Sequence, residues 1–211
     1  MGSVGERAPD RVVVVPRGSQ LSTAAWGQLL ATLPRCEQER IGGLHRWEDR
    51  QDSALGWSCL QDFARDAGTT AGRNRSGRPV AGAGIDVGLS HSGGWIAAAT
   101  TRSGCVGVDI EAPRPVSPAL ARRCLADSEL AWWEDAPPGR ARALRFLQLW
   151  TAKEAYLKAT GAGLSTDPRD LEIDVTGDRP VLAGDGTGSW EVSAWSPAPD
   201  TWLTVCTGSR R

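Results

Sequence analysis

Phe146-Leu147-Gln148-Leu149-Trp150-Thr151-Ala152-Lys153-Glu154-Ala155-Tyr156-Leu157-Lys158 reads as a helix and holds both lysines of a chain that has 22 arginines. Helical side chains repeat about every 3.6 residues, so Glu154 and Lys158, four apart, share a face and present a carboxylate and an ammonium side by side. A solvated surface pair is the plain reading. The arginine bias argues for more, because an ordinary surface cation is arginine everywhere else in this chain. A lysine ammonium is a compact point charge rather than a planar fork, which suits close approach to a phosphate oxygen beside a metal. Lys153 points about 100° away from Glu154 and serves either phosphate or structure.

Working outward, Cys105-Val106-Gly107-Val108-Asp109-Ile110-Glu111 alternates like a strand. Period two puts Asp109 and Glu111 on one face, and Val108 and Ile110 on the opposite face toward a core. Two carboxylates on one face repel each other unless something positive sits between them. With Glu154 they form a three-carboxylate, all-oxygen set of the kind that favours Mg²⁺, a cation that keeps several waters and is completed by substrate phosphates.

The remaining pattern supplies the architecture. Arg11 to Val15 reads as a strand, Ser22 caps a helix that ends near Leu33 before Pro34, and a longer helical region covers roughly Gln38 to Ala67. Residues 68 to 84 read as a loop. Strands follow near Ile85–Leu89 and Trp95–Thr101, with Ser90-His91-Ser92 as a turn and Arg102-Ser103-Gly104 as a hairpin turn into the 106–111 strand. Helices start at Ser117 and near Asp127, Pro137-Pro138-Gly139 breaks them, and a long helix runs from about Arg140 to Thr160 with Gly161 as its stop. Leu171–Val175, Ser189–Trp195 and Trp202–Thr207 alternate like three antiparallel strands. Each half thus runs strand, helices, strands, without a letter-for-letter repeat. The order predicts an α+β protein of two similar lobes, 1–104 and 105–211, the second carrying the metal site, with a ligand cleft between them.

Val106-Gly107-Val108-Asp109-Ile110-Glu111 resembles the G-V-D-I-E segment of the Sfp-type 4′-phosphopantetheinyl transferases. Phe146 through Trp150, Lys153-Glu154-Ala155, Lys158, Gly161 and Gly163-Leu164 resemble that family's F-x-x-x-W-x-x-K-E-A-x-x-K-x-x-G-x-G-L segment, and 43 residues lie between Asp109 and Lys153. Gly77-Arg78-Pro79 and Ser90-His91-Ser92-Gly93 are similar to its G-K-P and S-H-S-G elements, with arginine in place of the lysine. The long motif is highly specific, and the matches cover residues from about 76 to 164.

The resemblance implies a pseudo-twofold pair of lobes and the transfer of 4′-phosphopantetheine from coenzyme A to a serine of an apo acyl or peptidyl carrier protein, releasing 3′,5′-ADP. It implies Mg²⁺ on Asp109, Glu111 and Glu154, with Asp109, Glu154 and Lys158 as catalytic residues that also contact coenzyme A. Ser90 and His91 would meet its phosphates, and Ser76, Gly77 and Arg78 would border the adenine, largely through backbone. Arg40 and Arg46 are the candidates for the ribose 3′-phosphate. Asp52 stands where a basic residue is expected, with Arg50 and Ser53 as substitutes. Glu154 or a bound water takes the serine proton; the nucleophile belongs to the partner. An idle module that binds coenzyme A or a carrier protein is the alternative, and three retained carboxylates argue against it. No P-loop supports another phosphotransferase class.

Composition agrees. A net charge of −1 excludes a nucleic-acid backbone as main partner, and 40% hydrophobic content with ten tryptophans fills a core. Five cysteines without a C-x-x-C pair read as thiols of a reducing cytoplasm. No apolar leader or 18-residue apolar run predicts secretion or a membrane span, and a monomer is expected. Residues 112 to 139, punctuated by Pro113, Pro115, Pro118, Pro137 and Pro138, join the metal strand to the metal helix. With Arg114, Arg122 and Arg123 they are placed to form a cationic wall of the cleft entrance for an acidic carrier protein.

Overall fold

The computed structural model describes residues 8–163, 166–174, 181–182 and 190–209. Its first half runs β1 (Arg11–Pro16), α1 (Thr23–Ala31), α2 (Arg35–Gly42), α3 (Trp47–Asp66), β2 (Ala71–Arg73), β3 (Pro79–Ala81), β4 (Asp86–Ser92) and β5 (Trp95–Thr101). The second half runs β6 (Cys105–Glu111), α4 (Pro118–Cys124), α5 (Asp127–Asp135), α6 (Arg140–Thr160), a 3₁₀ turn at Pro168–Asp170, β7 (Ile173–Asp174), β8 (Val181–Leu182), β9 (Glu191–Trp195) and β10 (Trp202–Gly208). Antiparallel sheets in the orders β1-β5-β4 and β6-β10-β9 use the same wiring: the first strand pairs with the last, and the last with the one before it. In each half a long helix packs on the sheet and a two-stranded ribbon follows that helix. The repeat is therefore one of topology, invisible in the letters.

Period-two alternation builds the junction. Ala97 and Ala99 of β5 point one way and pack with Val106, Val108 and Ile110 of β6 and Leu203 and Val205 of β10, while Ala98 points into the core beneath α3. Alanines on both sheet faces of β5 let the layers approach closely. Gly107 lies on the other face of β6, and a Cβ there would stand 1.9 Å from the Ala155 carbonyl oxygen. Only glycine allows α6 to cross β6 so closely, and that crossing brings Lys158 down onto Asp109, one face-step along the strand. Along α6, Phe146, Leu147, Leu149 and Leu157 are buried, each stabilising by about 1.5–3 kcal/mol. Gly161, at φ 75°, ends the helix by donating to the Leu157 carbonyl.

Five expectations need correction. The region from Gln38 to Ala67 is two helices, broken at residues 43–46 where Gly42-Gly43 end α2. Residues 68–84 hold the β2–β3 ribbon. Ser90-His91-Ser92 belongs to strand β4, and the turn is Gly93-Gly94, both at positive φ. β5 and β6 are not a hairpin: they pack face to face in different sheets, because β6 finds its partner in β10. Ile173–Asp174 pairs with β8, outside the main sheet, so the C-terminal sheet is completed by β6 instead. Leu164, Val175 and Ser189 lie outside the described residues. No helix among the described residues is long and apolar enough to cross a membrane, and no disulfide forms among them.

Candidate active site

Where β4 meets β6, two period-two patterns face each other. Ser90 donates to Asp109 Oδ1 at 2.8 Å, and Ser92 donates to Glu111 Oε2 at 2.7 Å. Lys158 Nζ donates to the same Asp109 oxygen at 2.6 Å and to Ser90 Oγ at 3.1 Å. Its ion-pair partner is thus Asp109 across the cleft, and not Glu154 on its own helix as the four-residue spacing predicted. The other oxygen of Asp109, Oδ2, is buried without a hydrogen-bond partner. Glu154 lies close enough to feel its neighbours: burial pushes its carboxyl up, Lys158 opposes this, and the charges of Asp109 and Glu111 add to the rise. The structure thus joins Lys158 to Asp109 and Ser90, puts Glu111 two residues further along the same strand, and leaves Glu154 within electrostatic reach of all three charged groups. Among the described residues, no group of three His, Cys, Asp or Glu side chains is arranged to hold a metal ion. An orphaned buried oxygen, and a carboxyl held up by burial and then by two other carboxylates, leave the site short of positive charge, which fits a divalent cation completed by ligand oxygens.

The N-terminal half supplies the opposite wall. A cavity of about 340 Å³ is lined by Arg40, Ser53, Trp57, Arg73, Pro79, Leu89, Ser90, His91 and Lys158. Arg40 Nε donates to Glu37 Oε2 at 2.8 Å and Arg73 Nε to Glu37 Oε1 at 2.6 Å, with Arg73 stacked 4.6 Å over Trp57. One buried carboxylate therefore holds two guanidinium groups, leaving the wall net positive toward His91 and Lys158. Pro79, Leu89 and Lys158 continue into a groove of about 520 Å³, whose other walls include Ser76, Gly77, Val87, Gly88 and Gly161. Arg73 and Glu37 were not anticipated, because Arg73 lay in an apparent loop and only tertiary contact joins it to α2. Ser92 was missed because residues 90–92 read as a turn; as part of β4 it shares the face of Ser90.

Other anticipated residues lie elsewhere. Arg46 pairs with Glu48 at 3.4 Å on an exposed surface and does not line the cavity. Arg50 borders a separate space of about 210 Å³ and donates to the His45 carbonyl. Asp52 is buried against Arg17 at 3.0 Å, so a cation reaches this position from the end of β1 rather than from α3. Arg78 keeps its backbone on the groove, but its side chain is committed to Asp86. Lys153 is enclosed, 2.5 Å from Glu129 and 2.7 Å from the Pro168 carbonyl, which assigns it to structure. Residues 113–116, 138–140 and 142–144 line a further groove of about 620 Å³ together with Pro118 of α4, the helix on which Arg122 and Arg123 stand exposed.

Residues 105–206, from β6 into β10, match the model of the 4′-phosphopantetheinyl transferase superfamily. The chain is 32% identical over 121 residues to the 4′-phosphopantetheinyl transferase psf-1 of Bacillus pumilus, covering 56% of this chain and 51% of that one. A 4′-phosphopantetheinyl transferase of Bacillus subtilis is 28% identical over 196 residues, 88% of this chain and 87% of that one. The 4′-phosphopantetheinyl transferase Sfp of Bacillus subtilis strain 168 is 28% identical over 122 residues, covering 56% and 53%. The chain spans about half the length of the first and third of these relatives. Residues 105–206, just under half of the chain, are thus similar to the 4′-phosphopantetheinyl transferase superfamily.

Proposed function

We propose that the protein transfers 4′-phosphopantetheine from coenzyme A to a serine of an apo acyl or peptidyl carrier protein. The observation that carries this is the meeting of Ser90 and Ser92 with Asp109 and Glu111 under the Lys158 ammonium, in a cleft continuous with the Arg40–Arg73 wall. A carboxylate cluster short of one cation beside a polycationic cavity suits a ligand bearing a pyrophosphate and a further phosphate.

Asp109, Glu111 and Glu154 would hold Mg²⁺, whose charge neutralises the pyrophosphate when bound. Lys158, already aimed past Ser90 into the cleft, stabilises charge on the leaving oxygen. The carrier serine oxygen bonds to the phosphorus that bears pantetheine, the bond from that phosphorus to the bridging oxygen breaks, and 3′,5′-ADP leaves with the electron pair. Glu154, whose carboxyl is raised by burial, or a bound water accepts the serine proton. Ser90 and His91 meet the pyrophosphate, and Ser76, Gly77 and the Arg78 backbone border the base. Arg40, joined by Arg73 and Ser53, takes the ribose 3′-phosphate. On this reading the lobes divide at 104 and 105, the enzyme acts as a cytoplasmic monomer, and the proline-punctuated segment with Arg114, Arg122 and Arg123 receives the carrier. Nucleic acid and membrane are not partners.

The test is incubation with coenzyme A, Mg²⁺ and an apo carrier protein, read by intact mass. The expected outcome is one phosphopantetheinyl increment on the carrier and release of 3′,5′-ADP. Coenzyme A binding without any increment on either an acyl or a peptidyl carrier would leave the idle module as the correct reading.

A further inference from the structure

Arg78 uses all of its side-chain hydrogen-bonding capacity inside the protein. NH1 and NH2 donate to the two oxygens of Asp86 at 2.9 and 2.6 Å, and the same groups reach the carbonyls of Pro79 and Val106, both at 3.3 Å. Nε donates at 3.1 Å to the carbonyl of Lys158. A guanidinium has five N–H donors, and here five bonds engage it, with the side chain 15% exposed. Nothing is left over for a phosphate. Asp86 Oδ2 also accepts the Val106 amide at 2.9 Å, so this pair from the N-terminal half grips the start of β6 twice.

The bond to Lys158 has a second meaning. Its carbonyl lies in the last turn of α6, where helix carbonyls lack intrahelical partners and the helix end carries partial negative charge. Arg78 caps that end from the other half of the molecule. Its own loop is held: Asn74 Oδ1 accepts from the Ser76 and Arg78 amides, and Arg73 donates to the Gly77 carbonyl. The capped residue is the one whose ammonium sits between Ser90 and Asp109.

We propose that Arg78 is a positioning residue: with Asp86 it latches the C-terminal end of α6 to β4 and β6 and so sets where the Lys158 ammonium stands in the cleft. An ammonium at position 78 could not do this, because three donors without a planar fork cannot grip a carboxylate bidentately and two carbonyls at once.

The chain has two lysines, so isotopic labelling at lysine Cε yields a magnetic-resonance probe at Lys158 and an internal control at the enclosed Lys153. In the full chain, Arg78→Gln is expected to move the Lys158 resonance and leave that of Lys153 in place. Asp86→Asn, which keeps the guanidinium, should do the same to a smaller extent and serves if Arg78→Gln does not fold. A Lys158 resonance that stays put in the folded variant, or two resonances that move together, overturns the proposal. A kinetic arm rests on the transferase reading: kcat should fall about tenfold or more, as expected of a displaced reacting group, with KM for coenzyme A within about twofold. A raised KM with kcat kept would make Arg78 a ligand contact and overturn the proposal. A wild-type protein that transfers nothing defeats the transferase reading instead, and the resonance arm still decides on Arg78.

Discussion

The two faces of α6 each carry one lysine beside one buried acid, and they do opposite things. Lys153 is fully enclosed, and its partner Glu129 also accepts the amides of Ala126 and Ile173, so both charges and both carboxylate oxygens are engaged within the C-terminal half. Lys158 is 34% exposed and shares Asp109 with Ser90, while Asp109 keeps an orphaned oxygen. A saturated ion pair ties α5, α6 and β7 together. The other pair is unsaturated and open on one side, with an acceptor left over. Incomplete satisfaction, more than charge, separates chemistry from scaffold here.

The sharpest way to break this contrast is at the acids of the open side. Asp109→Asn and Glu154→Gln should each lower transfer about 10²–10³-fold, the range for removing one electrostatic stabiliser, and EDTA should abolish it, as measured by holo-carrier formation. Full turnover in metal-free protein would contradict the proposed mechanism. Lys158→Met should follow with a loss of about 10–100-fold, the worth of one charge-assisted hydrogen bond, and little change in melting. Lys158→Arg should recover little of that, since a fork does not fit a point-charge position.

On the closed face the readout changes to stability. Lys153→Met leaves Glu129 buried and unpaired, and urea denaturation should show a loss of about 3–5 kcal/mol. Adding Glu129→Gln should restore only part of it, because the neutral amide needs no cation but turns its NH2 toward one of the two backbone N–H groups that the carboxylate accepts, with coenzyme A affinity unchanged throughout. At the entrance, Arg122→Glu with Arg123→Glu should raise KM for apo carrier several-fold, more at low salt than high, with calorimetric affinity for coenzyme A intact. The smallest effect concerns pH. Burial and two neighbouring carboxylates raise the Glu154 carboxyl, so without metal its ionised form opposes folding above that raised value. Metal-free Glu154→Gln should therefore melt a few degrees higher than wild type near neutrality. The advantage should vanish as pH falls below the ordinary carboxylate range, where Glu154 is protonated both folded and unfolded.

Much of the site was legible because its periodicities are local. Asp109 and Glu111 two apart and Glu154 and Lys158 four apart are readable letters, and the order of elements foretold an α+β fold. The errors came where pairing is non-local. The β2–β3 ribbon hid in a Gly- and Arg-rich stretch, and the sequential neighbours β5 and β6 imitated a hairpin although β10, almost a hundred residues on, is the true partner of β6. Arg46 and Arg40 looked equivalent as letters. Only Arg40 faces Glu37 and Ser53, because the break at residues 43–46 turns α2 against α3.

By itself the sequence determined the helix that carries Glu154 and Lys158 and the strand face that carries Asp109 and Glu111, since each follows from backbone geometry within one element. Tertiary structure alone decided that Lys158 answers to Asp109 rather than to Glu154, that Lys153 is sealed by Glu129, that Arg73 joins Arg40, and that Arg78 reaches across to cap α6. The physical reason is common to all four. A charged side chain long enough to reach several partners takes the one that best replaces its lost water, and which partner that is depends on elements brought together from opposite halves of the chain.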